Sequence, residues 1–302
     1  MSKAKSKAQG ELSLMLAIMA LSSVFMISAE AKTPAGKTNT EMLSGIKVTD
    51  KNIWRYEQVK LTANGKSLEA YLINSTTYVP VRAFYDAFIK SSITFSSASR
   101  TATVKNQSFS ASITDGAYYI IANGRYLWTD NPIVIMNDGK MYMPVRILAK
   151  TLGVSVDWDN GSRSVAVRGA VKYIENGSTY YNSDDVYWLS RIISAESRGE
   201  PLLGQIAVGN VVMNRVRSSQ YPNTIYGVIF DRKYGTQFSP VSFGTIYNTP
   251  AASSVAAAKI CLEGTSISED ILFFYNSSIA TTNWIDRARP FAFKIKNHKF
   301  YY

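Results

Sequence analysis

Along residues 189–200 apolar side chains return every three or four positions. Leu189, Ile192, Ile193 and Glu196 stand at i, i+3, i+4 and i+7, the spacing of the buried stripe on an amphipathic helix. The pattern predicts a helix and asks for an apolar residue at its fourth position, where the chain has a carboxylic acid. Gly199 and Pro201 end this helix, which puts Glu196 in its last turn, and Ser183 or Asp184 is the expected cap at its start. A second helix is predicted from Pro201 to about Arg217, with Ile206, Ala207, Val208, Val211, Val212 and Val216 on its apolar side. Asn210, Asn214 and Arg217 share a different face, where asparagines bind either a substrate or a neighbouring loop. The helical run Ser254 to Leu262 carries Cys261 as a small core residue.

Between about 57 and 169 the sequence repeats itself. Asn64-Gly65-Lys66 recurs as Asn123-Gly124-Arg125, a turn dipeptide between alternating strands. Tyr78-Val79-Pro80-Val81-Arg82 recurs as Tyr142-Met143-Pro144-Val145-Arg146, and Ile93 to Val104 matches Val156 to Val167, with Arg100 against Arg163 and Phe95 against Trp158. Three matched blocks in one order predict an internal duplication whose unit is strand, turn, strand, short helix, hairpin. Residues 32–56 and 170–182 are polar and are expected to be linkers. Residues 1–31 have a basic start (Lys3, Lys5, Lys7), an apolar run from Leu12 to Ile27 and an Ala29-Glu30-Ala31 cleavage site. They are expected to be a secretory signal peptide removed after Ala31. An uncleaved anchor is the alternative, against which the run is short and interrupted by Ser22 and Ser23.

Composition narrows this picture. Hydrophobic residues make up 46% and charged residues 18% of 302 positions, which suits a globular chain of about two domains. The net charge of +11 becomes about +10 once the leader is removed, and such a surface suits a polyanion. No basic–aromatic nucleic-acid module is present, and an exported protein meets anionic wall polymers instead. With Cys261 and His298 alone of their kinds, the sequence offers no disulfide, no metal site and no Cys–His pair, and no cofactor is expected.

The acid in the apolar stripe is the candidate chemistry. Burial disfavours the charged form of a carboxylic acid, and the negative end of the helix dipole acts in the same direction. A raised pKa is what a general acid needs. A glutamate near a helix end is more often a solvated surface charge, so periodicity alone leaves both readings open.

The residues around it are more specific. Ala195-Glu196-Ser197-Arg198-Gly199-Glu200-Pro201 is followed by Gly204-Gln205-Ile206-Ala207-Val208, Val212-Met213-Asn214-Arg215-Val216 and Tyr221-Pro222-Asn223-Thr224-Ile225. Val228-Ile229-Phe230, Gln237-Phe238-Ser239-Pro240-Val241, Phe274-Tyr275-Asn276 and Asn297-His298-Lys299-Phe300-Tyr301 complete the series. In this order they resemble the bacterial spore cortex-lytic and cell wall hydrolase family (SleB type) across the region from 183 to 302. The resemblance implies a helix-rich α+β, lysozyme-like fold acting on the glycan strands of peptidoglycan, with Glu196 as the catalytic acid. Ser197 stands where the family motif has alanine. The second acid, Glu200, is expected to shape the turn or bind substrate. Gln237, Ser239, Tyr275, Asn276 and Trp284 are expected to line the cleft. Residues 57–169 are similar to the stalk-type domain named after the copper amine oxidase N-terminal region, a β-rich module suited to spacing or wall attachment. No copper is implied, because this stretch has neither histidine nor cysteine.

Counting carboxylates selects a mechanism. Ordinary glycosidases need two, whereas a lytic transglycosylase manages with one because the substrate supplies its own nucleophile. Asp231 and Asp286 are the candidates for a second acid, and neither stands in a pattern like that of Glu196. The expected function is therefore an exported, wall- or spore-associated lytic transglycosylase. The alternatives are a hydrolytic muramidase and a non-catalytic wall-binding protein.

Overall fold

The computed structural model describes residues 56–233, 235–280 and 284–302. The expected leader and most of the first linker lie outside them. The described chain forms two domains, the first rich in strands and the second in helices.

In the first domain, β1 (Tyr56–Gln58), β2 (Lys60–Ala63), β3 (Lys66–Leu68), β4 (Tyr71–Ile73) and β5 (Thr76–Pro80) lead into helix α1 (Val81–Phe88). The hairpin β6 (Ser92–Ser96) and β7 (Thr101–Lys105) follows, then β8 (Ser110–Thr114). The second copy runs through β9 (Tyr119–Ala122), β10 (Arg125–Trp128), β11 (Val134–Ile135) and β12 (Met141–Pro144). It closes with helix α2 (Val145–Leu152) and the hairpin β13 (Ser155–Asp159) and β14 (Ser164–Arg168). Both copies thus share strand, turn, strand, a further strand pair, short helix and hairpin; the further strand pair was not in the expected unit, and β1 and β8 have no counterpart. Both Asn-Gly turns are two-residue loops with positive φ at each residue (48° and 76°; 47° and 79°), the turn geometry that matches strand twist. The matched Arg100 and Arg163 also share left-handed backbone, at φ 51° and 49°.

The copies are intertwined rather than side by side. The central sheet runs β1-β4-β5-β12-β11, with β5 and β12 antiparallel where the copies meet. The closing hairpin of the second copy joins the opening hairpin of the first in the order β13-β14-β2-β3, with β14 parallel to β2. The reciprocal sheet is β10-β9-β8-β7-β6, in which β8 is the added strand. All three sheets close on one core around Phe84, Tyr85, Ile113, Ile120 and Leu148.

The second domain is built on two long helices, α4 (Ser183–Ser197) and α5 (Leu202–Arg217), preceded by the short turn α3 (Gly177–Tyr180). After them come α6 (Ile225–Phe230), α7 (Ser239–Ser242) and α8 (Ala252–Leu262). A small sheet, β15 (Phe273–Asn276), β16 (Phe291–Ile295) and β17 (His298–Tyr301), in the order β15-β17-β16, completes it with α9 (Trp284–Ala288). Helix α5 is buried on nearly every face, and at Gly209 a β-carbon would stand 2.6 Å from Cys261 Sγ and 2.8 Å from Ile193. Only glycine lets α4, α5 and α8 approach this closely. Asn210 and Asn214 take the loop role. Asn210 exchanges bonds with Thr265 O and Ile267 N, and Asn214 donates to Ser268 O and Ile271 O. The cap of α4 is Asn182, one residue earlier than expected, and its Oδ1 accepts from the amides of Asp184 and Asp185.

The expected linker at 170–182 is a structural joint. Tyr181 is buried, and its hydroxyl donates to Glu263 and accepts from the Tyr126 amide. Arg125 of β10 makes a bidentate pair with Glu263 just after α8, at 2.7 and 2.6 Å. The side chains are 10% and 2% exposed. No helix among the described residues is long and apolar enough to cross a membrane.

Removing one partner of a buried ion pair strands the other, at a cost of about 3–5 kcal/mol. Glu263→Ala should therefore lower the calorimetric Tm by several degrees, and Arg125→Met with Glu263→Leu should recover most of the loss. A single variant as stable as the parent would show that this pair does not hold the domains.

Candidate active site

The stripe on α4 forms as its periodicity requires. Leu189, Ile192 and Ile193 are fully buried, and Glu196 follows them in the last turn. The acid is half-buried, so it is neither sealed in the core nor free on the surface. Among the described residues no hydrogen-bond donor reaches its carboxylate. Burial pushes its pKa up to about 7, with Arg215 pulling weakly in the opposite direction. A glutamic acid in this state holds its proton near neutrality and has its oxygens free for a substrate.

Arg215 is the residue that the sequence reading passed over. Val208, Val211, Val212 and Arg215 repeat on α5 the same i, i+3, i+4, i+7 pattern, again with a charge at the fourth position. That second violated stripe was the available signal. The Arg215 guanidinium is buried, donates to Leu272 O at 2.8 Å and lies 3.5 Å from Gln237 Oε1. The rings of Tyr221, Phe238 and Phe273 surround it at 5.0–5.5 Å. Burial lowers its pKa, while Tyr221, Asp231 and Glu196 act to raise it. The guanidinium therefore supplies a fixed positive field near the acid without bonding to it.

An aromatic cluster lies on the same helix. Trp188 sits two turns before Glu196, about 12 Å along the axis. Its ring makes edge contacts with Tyr226 (5.4 Å), Phe230 (5.0 Å) and Tyr247 (6.2 Å). Tyr187, Tyr226 and Tyr247 are exposed, and the Arg191 guanidinium stacks over Tyr187 at 3.7 Å. Such surfaces suit the C–H faces of sugar rings. Three separate segments contribute, so no local pattern announced the cluster.

The structure places the expected cleft residues differently from one another. Gln237 is half-buried beside Arg215, and its Nε2 donates to Gly235 O. Ser239 is exposed at the start of α7, close in sequence to the highly exposed Phe243. Trp284 is exposed at the start of α9. Tyr275 donates to Asp286 and stacks on Tyr301, whereas Asn276 Oδ1 is used by Ser278 in a turn. No hydrogen bond or ion pair joins Tyr275 or Asn276 to Glu196 among the described residues.

Glu200 takes the first of its two expected roles. It is buried, and its carboxylate accepts from the amide and side chain of Asn297 and lies 3.5 Å from His298 Nδ1. These contacts tie the exit of α4 to the β16–β17 turn, which is the turn-shaping role. His298 is buried between the Phe274 and Phe300 rings, and burial pushes its pKa below the usual imidazole range. Asp286 is likewise occupied, since Tyr275, Tyr301 and Lys299 all donate to it and hold its carboxyl below the usual range. Asp231 accepts the Lys233 amide in a turn. Neither aspartate stands without a hydrogen-bond donor as Glu196 does. Cys261 is buried, and its thiol is pushed up to about 12.

Residues 199–301 match the Cell Wall Hydrolase family model, which begins just after Glu196. Residues 62–167 match the Copper amine oxidase N-terminal domain. The chain is 38% identical over 120 residues to a spore cortex-lytic enzyme of Bacillus cereus and 34% identical to one of Bacillus subtilis. These matches take in 40% of this chain and 45% and 38% of the two relatives, so the chain spans less than half of either. A solved catalytic domain of the germination-specific lytic transglycosylase SleB from Bacillus anthracis is 37% identical, covering 43% of this chain and 100% of its own, with a TM-score of 0.37.

The raised pKa has a consequence for stability. Between about 4.5 and 7 the unfolded chain ionises Glu196 while the native chain keeps the proton, so wild-type stability falls as pH rises through this window. Glu196→Gln carries no such penalty. It should match wild type at pH 4 and exceed it at pH 8 by roughly 3 kcal/mol, read from urea unfolding at the two pH values. Equal stability of the two proteins at both pH values would place the acid in open solvent.

Proposed function

We propose that this protein cleaves peptidoglycan glycan strands between muramic acid and N-acetylglucosamine as a lytic transglycosylase, with Glu196 as acid and then base. The observation that carries this reading is the half-buried Glu196, which no hydrogen-bond donor reaches among the described residues and whose pKa burial pushes up to about 7. In the first step Glu196 donates that proton to the glycosidic oxygen as the bond to the muramic C1 breaks. The carboxylate left behind then takes the proton of the muramic C6 hydroxyl, whose oxygen closes onto C1 as a 1,6-anhydro ring. Glu196 ends protonated, no water is consumed, and one carboxylate suffices.

The rest of the site agrees with this sequence of steps. Arg215 steadies the carboxylate between the two steps but is too weak to strip it of its proton beforehand. Asp286 is engaged by Tyr275, Tyr301 and Lys299, which argues against its use as a second carboxylate that would activate water. Trp188, Tyr226 and Tyr247 offer stacking surface for sugars. The matched relatives are named as spore cortex-lytic enzymes, which supports remodelling of cortex or wall as the setting. Export rests on the leader-like residues 1–31.

Glu196→Gln should lower release of soluble fragments from purified sacculi by at least about 100-fold while sacculus binding survives. Mass spectrometry of wild-type products should find muramic ends one water lighter than hydrolysed ends. Fully hydrated ends would assign the protein as a muramidase, and unchanged lysis by the variant would remove Glu196 from the mechanism.

Because the first step needs the protonated acid, the rate of lysis should decline as pH rises through about 7. A pH–rate profile flat from 5 to 9 would contradict that assignment.

A further inference from the structure

A cavity of about 520 Å³ opens in the first domain, between the β4–β5 turn, the segment after β10, the start of α2 and strand β13. Two tryptophans line it, Trp128 and Trp158. Both indole N–H groups are already committed, Trp128 to Asp130 at 3.2 Å and Trp158 to Asn160 at 2.6 Å. The rings therefore offer the cavity apolar surface and not donors. Polar groups complete the wall: Thr76, bonded to Asn131 at 3.0 Å, with Asp130 and Arg146.

The duplication supplies an internal control. With Tyr78 matched to Tyr142, the counterpart of Thr76 is Lys140. Lys140 reaches Glu69 at 2.7 Å and Asp138 at 3.0 Å, and Tyr71 and Tyr142 bond to the same carboxylates. In that copy the corner is occupied by charges, and Phe95 stands where the other copy has Trp158. The copies diverge at this spot: one has a lysine bridging two carboxylates beside a phenylalanine, the other a threonine beside two tryptophans.

Aromatic faces beside hydroxyl, amide, carboxylate and guanidinium groups are the chemistry that recognises a pyranose. The C–H face of the sugar lies on the indole, and its hydroxyls and acetamido groups meet the polar rim. The volume lies within the roughly 300–1,000 Å³ of small-molecule sites. One exposed arginine is too little cationic charge for a phosphate site. We propose that this cavity binds an N-acetylated glycan, giving the first domain its own grip on a polymer, separate from Glu196. That the polymer is the one cut at Glu196 rests on the function proposed above.

The test uses the full chain carrying Glu196→Gln, so that bound glycan is not cut. Thr76→Lys puts the long side chain of the other copy into the cavity, and Trp158→Ala removes a stacking face. Each should weaken retention on purified sacculi at least tenfold, Thr76→Lys despite its added positive charge. Each should also abolish the tryptophan fluorescence change caused by a β-1,4-linked N-acetylglucosamine tetramer that Trp158→Phe retains. Thermal unfolding at the parent Tm identifies a folded variant. Retention and fluorescence within twofold of the parent in folded Thr76→Lys would overturn the proposal. With Glu196 restored, lysis that persists while the cavity variants bind normally leaves the enzyme reading standing and the cavity reading lost. Tetramer binding at the cavity in a chain that lyses nothing does the reverse.

Discussion

Helix α5 has almost no solvent face, and the second domain is arranged around that fact. A buried helix has to find protein partners for every polar side chain it carries. Gln205 bonds to Glu200 O and Ser254, Asn210 and Asn214 hold the loop between 265 and 271, and Arg215 takes Leu272 O. These bonds fix the positions of α8 and of the strand β15 that follows the loop. Gly209 sets how closely α4 lies against the same helix. The degree of burial of Glu196 is thus decided by α5, and with it the pKa on which the proposed chemistry turns.

Reading charges as interruptions of apolar stripes worked where the interruption was short-range. Glu196 was legible because three buried neighbours on its own helix define the missing fourth. Arg215 obeys the same rule and was equally legible. The duplication was visible because its turn chemistry, Asn-Gly and Pro-Val-Arg, is local. The choice between the two roles of Glu200 was out of reach for the opposite reason, since its partners Asn297 and His298 arrive from the far end of the chain. The joint at Tyr181 and the Arg125–Glu263 pair were equally out of reach, because 138 positions separate the paired residues. The α4 cap moved by one residue because Asn182, Ser183 and Asp184 are all good capping residues, and only backbone geometry selects among them.

The two acids of the sequence motif show how much a few positions matter. Glu196 and Glu200 lie one helical turn apart, yet among the described residues one has no hydrogen-bond donor on its carboxylate and the other is bonded to a strand turn. Lys296 adds a bond to Gly199 O at the same exit, so the backbone just beyond Glu196 is pinned to the small sheet. The proposed use of Glu196 as acid and then base would benefit from such a rigid base.

The exchanged hairpins of the first domain have a consequence for its assembly. Strand β2 pairs on one side with its neighbour β3 and on the other with β14, roughly a hundred residues downstream. Half of its hydrogen-bonding edge stays unmatched until the end of the second copy has been made. Neither copy can therefore serve as a template on which the other condenses, and the domain forms all at once or not at all. The long loops that must close first make such a fold slow to form. The same closure leaves no terminal repeat to fray, so a duplicated sequence behaves here as one indivisible unit and not as the start of an extendable array.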